Sequence, residues 1–138
     1  MSNASKMVYR GKLLIMICLG ACGPRPGVAV ARDGDGYVLN IFNCAMGGKL
    51  IVTYIKISKG DVNNDAGEQC ELVAHGEDRT LERWRYGVES AGFKLSRCLP
   101  LERETTYNVH VGARPWAAVG HFSVDGHGDV KMIDGDCR

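Results

Sequence analysis

The sequence has no long apolar run, and neither sign of charge is in large excess. The apolar stretch 13–19 is far shorter than the ~20 residues that cross a bilayer. The 17 Lys and Arg residues almost balance the 16 Asp and Glu residues, so the chain lacks the basic patch or stripe of a nucleic-acid-binding protein. We therefore expect neither a membrane-spanning helix nor binding to nucleic acid.

Patterns that would hold a metal ion are missing or incomplete. No two cysteines are spaced as Cys-x-x-Cys, which argues against a zinc knuckle. The run Asp61–Asp65 begins like a calcium loop, but Ala66 and Leu72 stand where an EF-hand needs Gly and Glu. His121 and His127 could meet across a hairpin, yet two histidines without a third ligand are weak evidence for a metal. We predict no metal and no other cofactor.

Catalytic motifs are equally scarce. Ser90 lies in Glu-Ser-Ala-Gly and not in the Gly-x-Ser-x-Gly elbow of hydrolases. Glu102 and Glu104 lie near a turn, and nothing in the sequence pairs them as an acid and a base. Although active sites are built in space rather than in sequence, we expect a protein that is not an enzyme.

The N-terminal region has the layout of a secretory signal. Three cations, Lys6, Arg10 and Lys12, precede the apolar stretch, and small residues then lead to Cys22. The ending Leu19–Cys22 resembles the lipobox of bacterial lipoproteins. The resemblance implies cleavage before Cys22, a diacylglycerol on its sulfur and acylation of the new amino terminus. An uncleaved anchor and an ordinary secreted protein are the alternatives.

These boundaries divide the chain into three parts. Residues 1–21 form the predicted lipoprotein signal peptide, and residues 22–27 form the lipidated cysteine with a short Pro- and Gly-rich tether. Residues 28–138 suit a single domain. Gly23, rather than Asp, follows the cysteine. By resemblance to lipoprotein sorting, this favours the outer membrane of a bacterial envelope, with the domain facing the periplasm.

Four cysteines remain once the signal and Cys22 are set aside. They are Cys44, Cys70, Cys98 and Cys137. An even number of cysteines in a small exported domain predicts disulfides, here two. Four cysteines allow three pairings, and the sequence does not choose among them.

Alternation of apolar and polar residues with period two dominates the domain. It predicts about eight strands separated by Gly-rich turns, with a polar loop over 58–69 and a hairpin turn over 125–128. Trp84 and Tyr86 share one face of a strand, and we expect both to pack in the core. Short strands at a spacing of roughly 8–12 residues are typical of a β-sandwich or a small barrel.

The segment that starts at Leu101 favours the β-sandwich over the small barrel. Leu101, Thr105 and Tyr107 precede an alternating strand that runs to Ala113. The segment resembles the tyrosine corner of fibronectin type III domains, although Arg103 stands where those domains have proline. In such a corner the tyrosine hydroxyl bonds to backbone a few residues upstream. The expected fold is all-β: one immunoglobulin-like or fibronectin-III-like antiparallel β-sandwich of about 7–8 strands.

Two segments are candidates for contact with a protein partner. Arg114 and Trp116 lie in a predicted loop at the end of a strand, and Trp and Arg are frequent in binding hot spots. The alternative is that Trp116 covers one end of the core. The second candidate is the acidic stretch Asp61–Glu71, with Asp61 and Asp65 as its contact residues.

Several short motifs extend over the domain. They are Trp-x-Tyr-Gly at 84–87, Cys-x-Pro-Leu before Tyr-x-Val-x-Val within 98–111, and Gly-x-Phe-x-Val at 120–124. With the lipobox, they resemble a group of small periplasmic lipoproteins, the type VI secretion immunity proteins. The resemblance implies an anchored domain that binds and neutralises a secreted antibacterial effector. An accessory structural subunit of an envelope or secretion assembly is the alternative, and an enzyme or small-ligand carrier is a third class.

Overall fold

The computed structural model describes residues 26–44, 50–61, 64–114 and 116–137, and these ranges contain strands and turns but no helix. The strands, in chain order, are β1 (Pro26–Asp33), β2 (Gly36–Asn43), β3 (Ile51–Asp61), β4 (Asn64–Ala74), β5 (Arg83–Arg85), β6 (Phe93–Leu95), β7 (Thr105–Arg114), β8 (Ala118–Val124) and β9 (Val130–Asp134). Because β1 begins at Pro26, the last two residues of the predicted tether belong to the first strand.

The strands form two antiparallel sheets, in the orders β1-β2-β5 and β6-β4-β3-β7-β8-β9. The predicted all-β sandwich is thus confirmed. In immunoglobulin-like domains the strands A, B and E share one sheet, and C, F and G share the other. Here β1, β2 and β5 take the first three places, and β3, β7 and β8 take the others. The described chain has nine strands rather than seven or eight, because β6 and β9 extend the edges of the larger sheet.

The core lies between the two sheets and follows the predicted alternation. On β7, Tyr107, Val109 and Val111 are fully buried. Trp84 on β5 is also buried and donates its indole N–H to the carbonyl of Val88 at 2.7 Å, so its polar atom is satisfied. Tyr86 is half-buried, and this burial raises the pKa of its hydroxyl.

The tyrosine corner is present in the structure. The backbone N–H of Glu102 donates to the hydroxyl oxygen of Tyr107 at 2.7 Å. Burial raises the pKa of the Tyr107 hydroxyl. On the surface of the corner, the Lys59 ammonium donates a hydrogen bond to the Glu102 carboxylate at 2.6 Å. The segment Leu101–Tyr107 therefore forms the tyrosine corner that its resemblance implied, even though Arg103 replaces the usual proline.

Removing the Tyr107 hydroxyl tests this corner. Tyr107→Phe is expected to lower the free energy of unfolding by about 1–2 kcal/mol, because the Glu102 amide loses its acceptor. Tyr54→Phe is the matched control, since Tyr54 is a surface tyrosine, and it is expected to change stability by less than about 0.5 kcal/mol. Urea denaturation measures both variants. Equal losses would show that the hydroxyl bond does not stabilise the corner.

One side of the sandwich is closed by contacts between β1 and the C-terminal segment. The N–H of Val28 donates to the carbonyl of Gly135 at 2.9 Å, and the N–H of Val30 reaches the Met132 sulfur at 3.3 Å. A first strand would otherwise expose a row of unpaired backbone groups. The C-terminal segment therefore protects the edge of the smaller sheet.

The two ends of the sandwich carry different features. β1, β3 and β8 begin at one end of the sandwich, and β7 ends there, with Arg114 paired to Ile51. We call this the Trp116 end, since Trp116 lies between β7 and β8. The other end, the turn end, carries the tyrosine corner and the turn 125–128. In that turn the amides of Asp129 and His127 donate to the Asp125 carboxylate and hold its pKa below the usual range.

Candidate binding surfaces

The four cysteines of the domain form two disulfides, as expected, and the structure selects one of the three possible pairings. Cys44 pairs with Cys137, with 5.4 Å between their Cα atoms, and Cys70 pairs with Cys98. The first bond joins the end of β2 to the segment after β9. The second joins the buried Cys70 of β4 to the chain that leads into the tyrosine corner. None of these sulfurs is a free thiolate.

Trp116 is an exposed side chain at its end of the sandwich. It retains 58% of its accessible surface, so most of its side chain is open to solvent. Arg114, the last residue of β7, lies 4.0 Å from the Asp78 carboxylate, a separation that contributes little at an exposed site. The exposure makes Trp116 available for contact with another molecule.

The start of the domain lies at this same end. Val28 is level with Gly120 across the core, since a Cβ placed on Gly120 would lie 3.1 Å from the Val28 side chain. β1 and β8 both run away from the Trp116 end. Pro26 precedes Val28 by two residues, and Trp116 precedes Gly120 by four. Both residues therefore lie closer to the Trp116 end than Val28 and Gly120 do. Pro26, the first described residue, thus lies at the Trp116 end of the sandwich.

The acidic stretch Asp61–Glu71 begins at the opposite end, and its described residues are in strands. β3 continues to Asp61 and β4 starts at Asn64, so most of the predicted 58–69 loop is strand. The side chains of Asp61 and Asp65 lie outside the part of the chain that the structure describes. Further along β4, burial and the neighbouring Glu68 raise the pKa of Glu71. The predicted contact residues Asp61 and Asp65 thus lie at the opposite end of the sandwich from Arg114 and Trp116.

Sequence reasoning missed an apolar surface on the outer face of the larger sheet. Tyr54 on β3 and Val73 on β4 are direct partners and are 38% and 39% exposed; Val119 on β8 is 47% exposed. We call these three side chains the Tyr54 face. The Tyr54 ring covers Gly112 of β7, where a Cβ would collide with it. Period-two alternation could have indicated Val73 and Val119, since each follows a buried residue.

Polar groups lie beside the Tyr54 face. His110 pairs with Val119, and Lys56 pairs with both His110 and Glu71. Closer to the turn end, Ser58 of β3 and Asn108 of β7 are buried and pair with each other. The Ser58 hydroxyl and the Asn108 side-chain carbonyl oxygen lack hydrogen-bond partners. An apolar centre with a charged surround is the usual composition of a protein interface.

His121 and His127, the two histidines that could have met across the last hairpin, lie apart. The ring of His121 bonds to the Asp134 carboxylate, and His127 lies in the turn after β8 at the turn end. Across the described ranges, no three His, Cys, Asp or Glu side chains are grouped so that they could hold a metal ion. The same ranges contain no helix long and apolar enough to cross a membrane.

Comparison with known proteins adds no relative. No family model, no curated protein and no solved structure matches this chain. The function must therefore be argued from its own residues.

Proposed function

We propose that this chain is a bacterial envelope lipoprotein whose sandwich binds a protein partner without catalysis. Cys22, in its lipobox-like setting, would carry the lipid and lies outside the described residues. Two disulfides support the export that such an anchor requires, because disulfides persist in oxidising compartments. β1 begins only four residues after Cys22, so the domain would stand directly on its anchor.

The observation that carries protein binding is the Tyr54 face. A sheet face needs polar side chains to remain solvated, yet Tyr54, Val73 and Val119 expose apolar surface on the larger sheet, toward its Trp116 end. Tyr54 and Val73 are direct neighbours, and exposed apolar surface with a polar rim marks interaction sites on soluble domains. Lys56 and Glu71 supply that rim and would fix the orientation of a partner.

We infer further that the partner is a secreted antibacterial effector, which makes the protein an immunity protein or inhibitor in the periplasm. The support is the resemblance of the Trp-x-Tyr-Gly, Cys-x-Pro-Leu and Gly-x-Phe-x-Val motifs to such lipoproteins. Anchoring would raise the local concentration of the inhibitor where a toxin arrives. Arg114, Trp116, Asp61 and Asp65 remain predictions from the sequence, and the surface that we propose for the partner is the Tyr54 face.

Capture of the partner by the full chain tests this function. We expect a tagged, full-length protein to recover one secreted toxin at equal stoichiometry, and to protect cells that are exposed to it. Val73→Lys is expected to weaken capture at least about tenfold, because a charge would be buried at the interface core. Val88→Lys is the matched control, since Val88 is an exposed valine outside both sheets.

The contrary outcomes are specific. Recovery of envelope-assembly subunits in place of a toxin would favour the structural alternative. Unchanged capture by Val73→Lys would place the binding surface elsewhere on the domain. No recovered protein, with a folded and anchored bait, would contradict partner binding.

A further inference from the structure

We propose that the Trp116 end of the sandwich rests on the phospholipid surface that holds the acylated Cys22, with the Trp116 ring in the headgroup region. This inference rests on the lipid anchoring proposed above. It assigns Trp116 to the membrane rather than to the protein partner.

The length of the tether limits how far this end can move from the bilayer. Four residue steps separate Cys22 from Pro26, and at 3.3–3.6 Å per residue they span at most about 14 Å. Trp116 lies at the same end as Pro26, because β1 and β8 both begin there and Val28 is level with Gly120. The anchor therefore holds Trp116 close to the lipid surface.

The chemistry of this end suits the interface. A Trp ring is apolar with one polar N–H, and such rings concentrate where headgroups meet acyl chains. Trp116 is the most exposed large apolar side chain of the described residues. Arg114 beside it presents a guanidinium, 57% exposed, that can bond bidentately to lipid phosphate. Asp78 lies 4.0 Å from that guanidinium, so the contact depends on ring insertion more than on net positive charge.

This orientation leaves the partner surface open. The Tyr54 face lies on the outer side of the larger sheet, on β4, β3 and β8, toward the Trp116 end of these strands. With the Trp116 end on the membrane, the strands stand away from the bilayer. The outer side of the larger sheet then stands beside the bilayer rather than against it, so the Tyr54 face remains open to the periplasm. Lipid docking and partner binding therefore use different surfaces.

Tryptophan fluorescence of the lipidated full-length protein in phosphatidylethanolamine–phosphatidylglycerol vesicles tests the docking. The two tryptophans separate cleanly, because Trp84 is buried and bonded to Val88 while Trp116 is exposed. In the wild type we expect a blue shift, quenching by lipids brominated on the acyl chain, and acrylamide quenching reduced by about half. Trp116→Phe leaves only Trp84 and is expected to show none of these changes. Unlipidated Cys22→Ser supplies the soluble reference.

Vesicle sedimentation separates this inference from the proposed function. If the wild type sediments with vesicles but Trp116 stays as accessible to acrylamide as in Cys22→Ser, the docking is wrong and the anchor stands. If the wild type does not sediment, both are wrong. If Trp116 becomes protected only when the captured protein partner is added, Trp116 belongs to the partner interface and the docking is overturned.

Discussion

Replacing Cys44 and Cys137 together by alanine is expected to lower the free energy of unfolding by about 4.6 kcal/mol. The disulfide links residues 93 positions apart, and a cross-link over so long a loop removes much of the conformational freedom of the unfolded chain. Neither cysteine is fully buried, so the substitutions remove little packed surface. The loss should therefore report the cross-link itself. Urea unfolding of the oxidised wild type and the double variant measures it.

The Cys70–Cys98 bond gives the comparison. Its residues are 28 positions apart, for which the same relation gives about 3.6 kcal/mol. Cys70 is buried, so alanine there adds a packing loss to the cross-link loss. A Cys44/Cys137 double variant within about 1 kcal/mol of the wild type would contradict the entropic account. It would indicate that the contacts of β1 with Gly135 close this edge without the disulfide.

The sheet architecture could be predicted from sequence because the core imposes a period of two. Tyr107, Val109 and Val111 alternate with polar residues, and all three are buried in the structure. The turn 125–128 was equally readable, since Asp125 and Gly128 have the side chain and the positive φ that such a turn requires. These signals are local, so a single sequence carries them.

The far part of the β3–β4 hairpin was not readable in the same way. β3 runs to Asp61 and β4 starts at Asn64, but the residues between Ser58 and Glu68 are mostly polar. The pairing also shifts register next to Ser58. A polar hairpin with shifted register lacks apolar alternation, and its strands therefore looked like a loop.

The disulfide pairing and the Tyr54 face depend on contacts distant in sequence. Cys44 meets Cys137 only because β1 and β2 lie against the C-terminal segment. Tyr54 comes beside Val73 only through the pairing of β3 with β4, and its ring finds room only because residue 112 is glycine. Strand register decides such neighbours, and local alternation within one strand does not reveal which residues of another strand it faces.

Among the described glycines, Gly135 is the position where a single methyl group should cost the most. Its φ is +101°, which side chains rarely adopt. A Cβ there would collide with the Cα of Gly120 and lie 3.1 Å from the Val119 carbonyl oxygen. Both are backbone atoms of β8, so no side-chain rotation can relieve the contact. The carbonyl of Gly135 also accepts the bond from Val28 that closes the edge of the smaller sheet.

Gly135→Ala is therefore expected to destabilise the domain by about 3–4 kcal/mol, combining backbone strain with overpacking. Gly34→Ala is the matched control: its φ is +64°, and beyond its chain neighbours no heavy atom lies within 4 Å of the place that a Cβ would take. That variant carries only the left-handed backbone cost of about 1–2 kcal/mol. Thermal and urea unfolding of both variants measures the difference. Equal losses would show that β8 and the C-terminal segment can separate freely, so that the closure of β1 by Gly135 contributes nothing to stability.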